Sequence, residues 1–169
     1  WEPAAVAGHT SMPSMTEAAE QLWERFCESV RMQLVSDVPL GVFLSGGIDS
    51  SSVVAAMASL MPAAKIETFT IGFNDPSFDE SAHARLVAQH FGTTHHEEIF
   101  SVERLVEVLP EVADYLDEPF GDASVLPMYL LSRFARKRVT VALGGDGCDE
   151  ILEGYPTFQA MRPAAFYRA

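Results

Sequence analysis

A short loop rich in glycine and serine carries the clearest chemical signal in this chain. Residues 45–50 read Ser-Gly-Gly-Ile-Asp-Ser and follow directly on the apolar run 41–44. Glycines let a backbone approach an anion closely, and the free N–H groups at the start of a following helix point towards it. The pattern predicts a phosphate-binding loop that uses Ser45, Gly46, Gly47, Ser50 and Ser51. The alternative is an ordinary Gly-Gly turn with Asp49 as a helix N-cap.

The carboxylate of Asp49 indicates that this loop also needs a cation. A carboxylate would repel a bare phosphate, whereas Mg²⁺ takes oxygen ligands and bridges phosphate oxygens. The loop is not a Walker loop, because it lacks the long glycine-bracketed spacing and the Lys-Ser/Thr ending of that motif. We therefore expect Asp49 to be a metal ligand.

A second glycine-rich and acidic segment follows another apolar run. Residues 139–143 are Val-Thr-Val-Ala-Leu, and residues 144–150 are Gly-Gly-Asp-Gly-Cys-Asp-Glu. If the two loops face each other, Asp49 and Asp149 could share one Mg²⁺ between the phosphates of ATP. The alternative is an acidic surface turn or an adventitious calcium site, although the spacing is unlike that of an EF-hand loop.

The two loops together resemble the synthetase domain of glutamine-hydrolysing asparagine synthetases, within the PP-loop ATP pyrophosphatases. The resemblance runs from about Thr16 to Tyr155. Four stretches carry it, namely residues 37–51, 68–85, 117–127 and 139–155, which include Ser-Gly-Gly-Ile-Asp-Ser, Phe-Asp-Glu-Ser, Asp-Glu-Pro-Phe-Gly-Asp and Gly-Asp-Gly-Cys-Asp-Glu. The order of these four motifs is specific to that family.

The resemblance implies an ATP- and Mg²⁺-dependent ligase that forms amides. A substrate carboxylate would be adenylated with release of pyrophosphate, and ammonia or another amine would then displace AMP. Asp146 would be the catalytic carboxylate and would suit a general base, while Glu150 would orient the loop or the metal shell. The nucleotide would further contact Leu44, Ile71, Gly72, Gly144 and Gly145. For Leu44 and Ile71, plain core packing is an equal alternative.

The resemblance also implies partners that this sequence does not itself contain. They are an aspartate-like carboxylate substrate, glutamine-derived ammonia from a glutaminase domain, and a downstream helical part. Some asparagine synthetases have an arginine in the loop where this chain offers Asp122, Ala123 and Ser124, which puts aspartate as the acceptor in question. A related amidotransferase, a β-lactam- or peptide-type synthetase and a non-catalytic ATP-binding module are the alternatives.

Two positions depart from the family pattern. Gly144 stands where many members have a serine, and Glu153 stands where many have a glycine. The first change removes a hydroxyl that would help to hold phosphate, and the second adds a carboxylate. Both favour the non-catalytic alternative slightly, whereas the retained Asp49, Asp146 and Asp149 oppose it.

Composition narrows the class of protein. The chain has 169 residues, 48% hydrophobic, with a formal net charge of −13, so we expect no nucleic-acid partner. No stretch of the sequence has the length and apolarity of a membrane span, and we expect no basic secretory leader. Cys27 and Cys148 form no zinc pattern and predict free thiols in the cytoplasm. A homodimer is left open.

Apolar runs that alternate with helical patterns predict an open parallel α/β sandwich of three layers, the adenine nucleotide α-hydrolase-like fold. We expect a linker at 1–13 and the synthetase domain at 14–169, without the glutaminase domain and the C-terminal helical part. Ser14 and Glu17 predict a capping box, followed by a helix that buries Leu22, Trp23, Phe26, Cys27, Val30 and Leu34. The expected strands are 40–44, 66–73, 95–99 and 139–143, and the other expected helices are 50–60, 79–91, 102–116 and 124–137.

Overall fold

The computed structural model describes residues 13–77, 79–118, 120–152 and 154–158. Four strands are present in this part of the chain: β1 (Leu40–Phe43), β2 (Glu67–Phe73), β3 (Thr94–Phe100) and β4 (Val141–Leu143). The helices are α1 (Met15–Gln33), α2 (Ile48–Leu60), α3 (Ser81–Phe91), α4 (Val102–Tyr115), α5 (Val125–Ala135) and α6 (Cys148–Leu152). The predicted linker and residue 153 lie outside the described residues, apart from residue 13.

The strands form one parallel sheet in the order β3-β2-β1-β4. Gly41 pairs with Glu67 of β2 on one side and with Ala142 of β4 on the other. Because β1 is covered on both faces, its sequence is apolar throughout, as expected for a central strand of a parallel sheet. The predicted open parallel sheet is confirmed.

Helices cover both faces of the sheet and complete the three layers. On one face, α1, α2 and α3 pack on Val42 and Leu44, and on the other, α4 and α5 pack on Phe69 and Phe100. The chain winds outward from β1 to β3 over the first face and returns to β4 over the second. The winding direction therefore reverses between β1 and β4, and ligands of open α/β sheets bind at such a point.

Helix α1 differs from its predicted packing. The capping box is confirmed, since the Ser14 N–H donates to the Glu17 carboxylate (2.8 Å) and the Glu17 N–H donates to the Ser14 hydroxyl (3.3 Å). Val30 is buried, whereas Leu22 and Trp23 are 47% and 42% exposed, so their predicted burial is wrong. The cause is that α1 meets α2 and the core through its C-terminal half.

Several helix and strand ends also shift by one or two residues. Helix α2 begins at Ile48, so Asp49 lies in its first turn behind an N-cap at Gly47. Helix α3 begins at Ser81 rather than at Asp79, because the Asp79 carboxylate folds back to accept from the N–H groups of Ser81 (3.1 Å) and Phe73 (3.4 Å). Among the described residues, no helix is long and apolar enough to cross a membrane.

Candidate active site

An open cavity of about 460 Å³ lies at the carboxyl ends of β1 and β4, where the winding direction reverses. Both glycine-rich loops reach it. Of the residues singled out in the sequence, it is lined by Leu44, Ser45, Asp49, Ser50, Ile71, Gly144, Gly145, Asp146, Asp149 and Glu150. Parallel strands bring these residues to one edge of the sheet although they are far apart in sequence.

The first loop is held in shape by its own hydroxyls. The Ser50 hydroxyl accepts from the Ser45 N–H (3.2 Å) and lies 3.0 Å from the Ser45 hydroxyl, which in turn accepts from the Gly47 N–H (3.2 Å). Gly46 has a φ of +87°, and a Cβ there would lie 2.5 Å from the backbone of His83 and Ala84. A side chain is thus excluded at this turn, since it would be strained and would clash.

The second loop packs directly on the first. A Cβ built on Gly145 would lie 2.8 Å from the Ser50 nitrogen and 3.0 Å from the Asp49 carbonyl carbon. Only a glycine therefore allows this backbone to approach the first turn of α2. Gly147, with a φ of +90°, then turns the chain into α6, which carries Asp149 and Glu150.

Within the described residues, the carboxylates of the cavity have no lysine or arginine beside them. Burial, and then the charges of Asp149 and Glu150, raise the pKa of Asp49 above its ordinary value. No lysine or arginine is among the described residues that line the cavity. Such a group of carboxylates favours the binding of a cation.

The donor set suits Mg²⁺ that is bound together with phosphate. In the described part of the chain, no three His, Cys, Asp or Glu side chains lie close enough to hold a metal ion by themselves. Mg²⁺ is commonly held by one or two carboxylates, with substrate phosphates and waters as its other ligands. Asp49 and Asp149 offer two carboxylates at the mouth of the phosphate loop, so the residues present fit this ion.

Gly154 and Tyr155, which follow α6, contact the acidic loop. The Gly154 N–H donates to the Asp149 carbonyl (3.0 Å), and a Cβ on Gly154 would lie 1.9 Å from Asp149 Oδ1. The Tyr155 hydroxyl donates to Glu150 Oε1 (2.8 Å), and this bond raises the pKa of Tyr155. Glu150 is thereby held in the loop.

The glycine at position 144 makes room for Asp146. A Cβ there would lie 2.4 Å from Asp146 Oδ2, so the Asp146 carboxylate rests where a side chain of residue 144 would stand. In this structure, a side chain at position 144 would displace the Asp146 carboxylate. The other departure, Glu153, lies outside the described residues.

Four of the predicted site residues are placed away from the cavity lining. Gly46 and Gly47 form the backbone of the turn. Gly72 is buried, and a Cβ there would meet Ile99 Cδ1 at 2.5 Å and Asp79 Oδ1 at 2.6 Å. The Ser51 hydroxyl is buried without a hydrogen-bond partner among the described residues.

The cavity also has walls formed by residues outside the predicted set of site residues, although the sequence placed Thr70 and Phe73 at the ligand edge of the sheet. They comprise Phe43, Thr70, Phe73, Glu80, Pro127, Met128, Leu131, Gly147 and Tyr155. The apolar wall comes from β2 and from the first turns of α5, whose sequence is apolar over 125–131. That run signals a buried helix face, but its place over the site depends on the crossover from β3 to β4. Apolar walls suit a purine base.

Two solved structures with a similar fold are NAD synthetases. The glutamine-dependent NAD⁺ synthetase from Acinetobacter baumannii, in complex with ADP, superposes over 87% of this chain and 29% of its own with a TM-score of 0.60 and 19% identity. The NH3-dependent NAD synthetase from Campylobacter jejuni superposes over 80% of this chain and 60% of its own, with a TM-score of 0.54 and 16% identity. The chain thus has the PP-loop, adenine nucleotide α-hydrolase-like fold.

Sequence comparison narrows this class to one family. The asparagine synthase family model matches residues 21–167. A putative glutamine-hydrolysing asparagine synthetase from Methanocaldococcus jannaschii is 44% identical over 130 residues, and the Bacillus subtilis and Bos taurus asparagine synthetases are 38% and 39% identical over 132 and 142 residues. These matches cover 77–79% of this chain and 21–25% of the relatives. The chain belongs to the asparagine synthase family.

Proposed function

We propose that this chain is the ATP-binding part of a ligase that forms amides. Its full-length protein activates a substrate carboxylate with ATP, releases pyrophosphate and transfers the acyl group to ammonia or another amine. Membership of the asparagine synthase family supports this activity. The observation that carries the proposal is the contact of the two loops, in which Gly145 lies against the first turn of α2 and brings Asp149 opposite Asp49.

Each group of residues then has a role in the first half-reaction. The Ser45–Ser51 loop and the N-terminus of α2 bind phosphate through amides and hydroxyls. Asp49 and Asp149 hold Mg²⁺, which supplies charge neutralisation to the phosphates when it is bound. Leu44 and Ile71, with Phe73 of β2 and the wall from α5, pack on the adenine, and Gly144 and Gly145 let the nucleotide approach the backbone closely.

In the second half-reaction, Asp146 is the general base. Its carboxylate lies on the cavity wall, where it can accept a proton from the attacking amine. Glu150, held by Tyr155, keeps the acidic loop in place. Glutamine-derived ammonia and a glutaminase domain are proposed on the printed names of the relatives.

The acceptor carboxylate is proposed to be aspartate-like. One observation on the cavity wall favours a second candidate. An aspartate also carries an α-carboxylate, and no lysine or arginine is found among the described residues of the cavity wall. This observation favours, as a second candidate, an amide-forming ligase whose acceptor has a single carboxylate.

The free thiols of Cys27 and Cys148 support a reducing compartment such as the cytoplasm. A homodimer stays a prediction.

A pyrophosphate-release assay on the full-length protein tests this function. We expect release that depends on Mg²⁺-ATP and on one carboxylate from a panel of aspartate and monocarboxylate acceptors, with an amide product once glutamine or ammonia is added. Asp146→Asn should lower amide formation by about a hundredfold, whereas Asp114→Asn, an exposed change on α4, should not alter it. Pyrophosphate release that depends on no acceptor in the panel, or a complete lack of pyrophosphate release, would contradict the proposal.

A further inference from the structure

The turn from β1 into the phosphate loop is held by a side chain of the neighbouring strand. The last hydrogen bond between β1 and β2 lies just beyond their paired residues. In this bond the Leu44 N–H donates to the Phe69 carbonyl (2.9 Å). Beyond it the strands separate, because β1 turns towards α2 while β2 continues beside β3 to Phe73. At that point the Thr70 hydroxyl donates to the Leu44 carbonyl.

The bond from Thr70 fixes more than one atom. The Leu44 carbonyl and the Ser45 N–H belong to the same planar peptide and point in opposite directions. The Ser45 N–H donates to the Ser50 hydroxyl (3.2 Å). One peptide plane is therefore held from both sides, by β2 through Thr70 and by α2 through Ser50.

This plane determines where the phosphate loop points. The Ser45 hydroxyl, which follows directly on it, accepts from the Gly47 N–H (3.2 Å) and lies 3.0 Å from the Ser50 hydroxyl. Thr70 is buried, with 3% of its surface exposed, so water does not compete for its hydroxyl. A rotation of the plane would break the bond from the Ser45 N–H to Ser50 and would move the Ser45 hydroxyl that follows it.

We infer that Thr70 is a positioning residue for nucleotide phosphate, acting through the Leu44–Ser45 peptide. The inference rests on the proposed function, in that it names the device that aligns the loop for the phosphates of ATP. It predicts that the Thr70 hydroxyl contributes to the binding of the phosphates and not to that of the adenosine part.

Thr68 offers a matched control on the same strand and the same face. It is buried like Thr70, and its hydroxyl bonds to His95 Nδ1 (2.9 Å) and Thr93 (3.2 Å), away from the loop. Thr70→Val and Thr68→Val therefore remove the same atom from equally buried sites. Thr70→Ser keeps the hydroxyl and tests its rescue.

Calorimetric titration of the full-length protein with Mg²⁺-ATP and with adenosine tests the inference. We expect Thr70→Val to raise the dissociation constant of Mg²⁺-ATP by about five- to tenfold, the effect of one lost hydrogen bond, and to leave adenosine binding unchanged. Thr70→Ser and Thr68→Val should bind both as the unsubstituted protein does. Equal losses in Thr70→Val and Thr68→Val, equal losses for ATP and adenosine, or no loss at all would overturn the inference.

A second measurement separates this inference from the proposed function. In the nucleotide-free protein, the Ser45 amide should exchange with deuterium about tenfold faster in Thr70→Val than in Thr68→Val. Unsubstituted protein that binds no Mg²⁺-ATP would overturn the proposed function, whereas equal exchange in the two variants would overturn the positioning role alone. If Thr70→Val does not fold, Thr70→Ala compared with Thr70→Ser gives the same test, and equal behaviour of that pair would overturn the role.

Discussion

The carboxylates at the outer strand of the sheet and those at the active-site edge have opposite environments. At β3, Glu97 forms a two-pronged ion pair with Arg85 (2.8 Å), Glu98 lies 3.5 Å from Lys137, and Glu67 of β2 bonds to His96. The charges of Glu97 and Glu98 are compensated within the protein, and the Glu67 carboxylate accepts a hydrogen bond from His96. They contribute to the fold, as exposed and half-exposed ion pairs do, by small amounts.

At the junction of β1 and β4, carboxylates face each other instead. Burial, and then repulsion by the charges of Asp149 and Glu150, raise the pKa of Asp49, and no described cationic side chain lines their cavity. The fold holds this repulsion at a cost to its own stability, and a bound cation relieves it. Under the proposed function, the compensated carboxylates stabilise the fold and the uncompensated ones bind a ligand.

The largest effect that tests this contrast is expected for Asp49→Asn. We expect pyrophosphate release by the full-length protein to fall by about a hundredfold or more, because one of the two carboxylates proposed to hold Mg²⁺ is lost. The free energy of unfolding without metal should rise by a few tenths of a kcal/mol, since a like-charge contact is relieved. Chemical denaturation beside Asp114→Asn measures the second effect, and a destabilised Asp49→Asn would break the contrast.

Gly145→Ala should separate the two loops. Its Cβ would meet backbone atoms of α2 at 2.8–3.0 Å, and we expect a loss of about 1–3 kcal/mol in the free energy of unfolding together with most of the nucleotide affinity. Gly121→Ala is the control, because a Cβ there meets nothing within 4 Å. If both variants keep full stability and affinity, contact between the loops is not what assembles the site.

Glu97→Gln tests the compensated side. It removes the charge that Arg85 binds, and we expect a loss of about 0.5–1 kcal/mol in the free energy of unfolding with unchanged pyrophosphate release. Glu20→Gln, on the exposed face of α1, provides a control for the loss of one negative charge. A large loss of activity in Glu97→Gln would show that the outer strand also serves the ligand.

The smallest effect is expected in the pH dependence of stability. Burial is the main cause that lowers the pKa of His95, against a smaller opposing influence of Glu97. The unfolded chain therefore takes up this proton first, so stability is lost as the pH falls from about 6.5 through the lower pKa of the folded state. His95→Asn should reduce the slope of unfolding free energy against pH in that window, whereas His90→Asn, an exposed change, should not. Parallel slopes in all three proteins would refute the assignment.

The sequence predicted the part of the site that is written in local patterns. Strand, glycine, carboxylate and helix follow one another at both loops, and parallel strands must bring such loops to one edge. The opposed pair Asp49 and Asp149 follows from that reasoning. Their roles towards metal and nucleotide stay predictions.

The features of the site that depend on strand register and on the path of the crossover could not be predicted from local sequence patterns. The Thr70 bond to Leu44 exists because β1 leaves β2 one residue after the pair Phe43 and Phe69. The α5 wall exists because the return path to β4 crosses the second face. Leu22 and Trp23 share the apolar stripe of α1, but its periodicity does not say that only the C-terminal half of the helix meets the core.

The contact between Gly145 and α2 has a consequence for how this protein is made. The two backbones that meet there are separated by about 95 residues, so the contact is among the most non-local in the chain and must form late. A ribosome-bound chain that ends before β4 carries the whole first loop but not its counterpart. Nucleotide binding should therefore first appear when the segment from β3 to β4 has packed on the sheet. Binding then indicates that the strands have reached their final order, and not only that the helices and strands have formed.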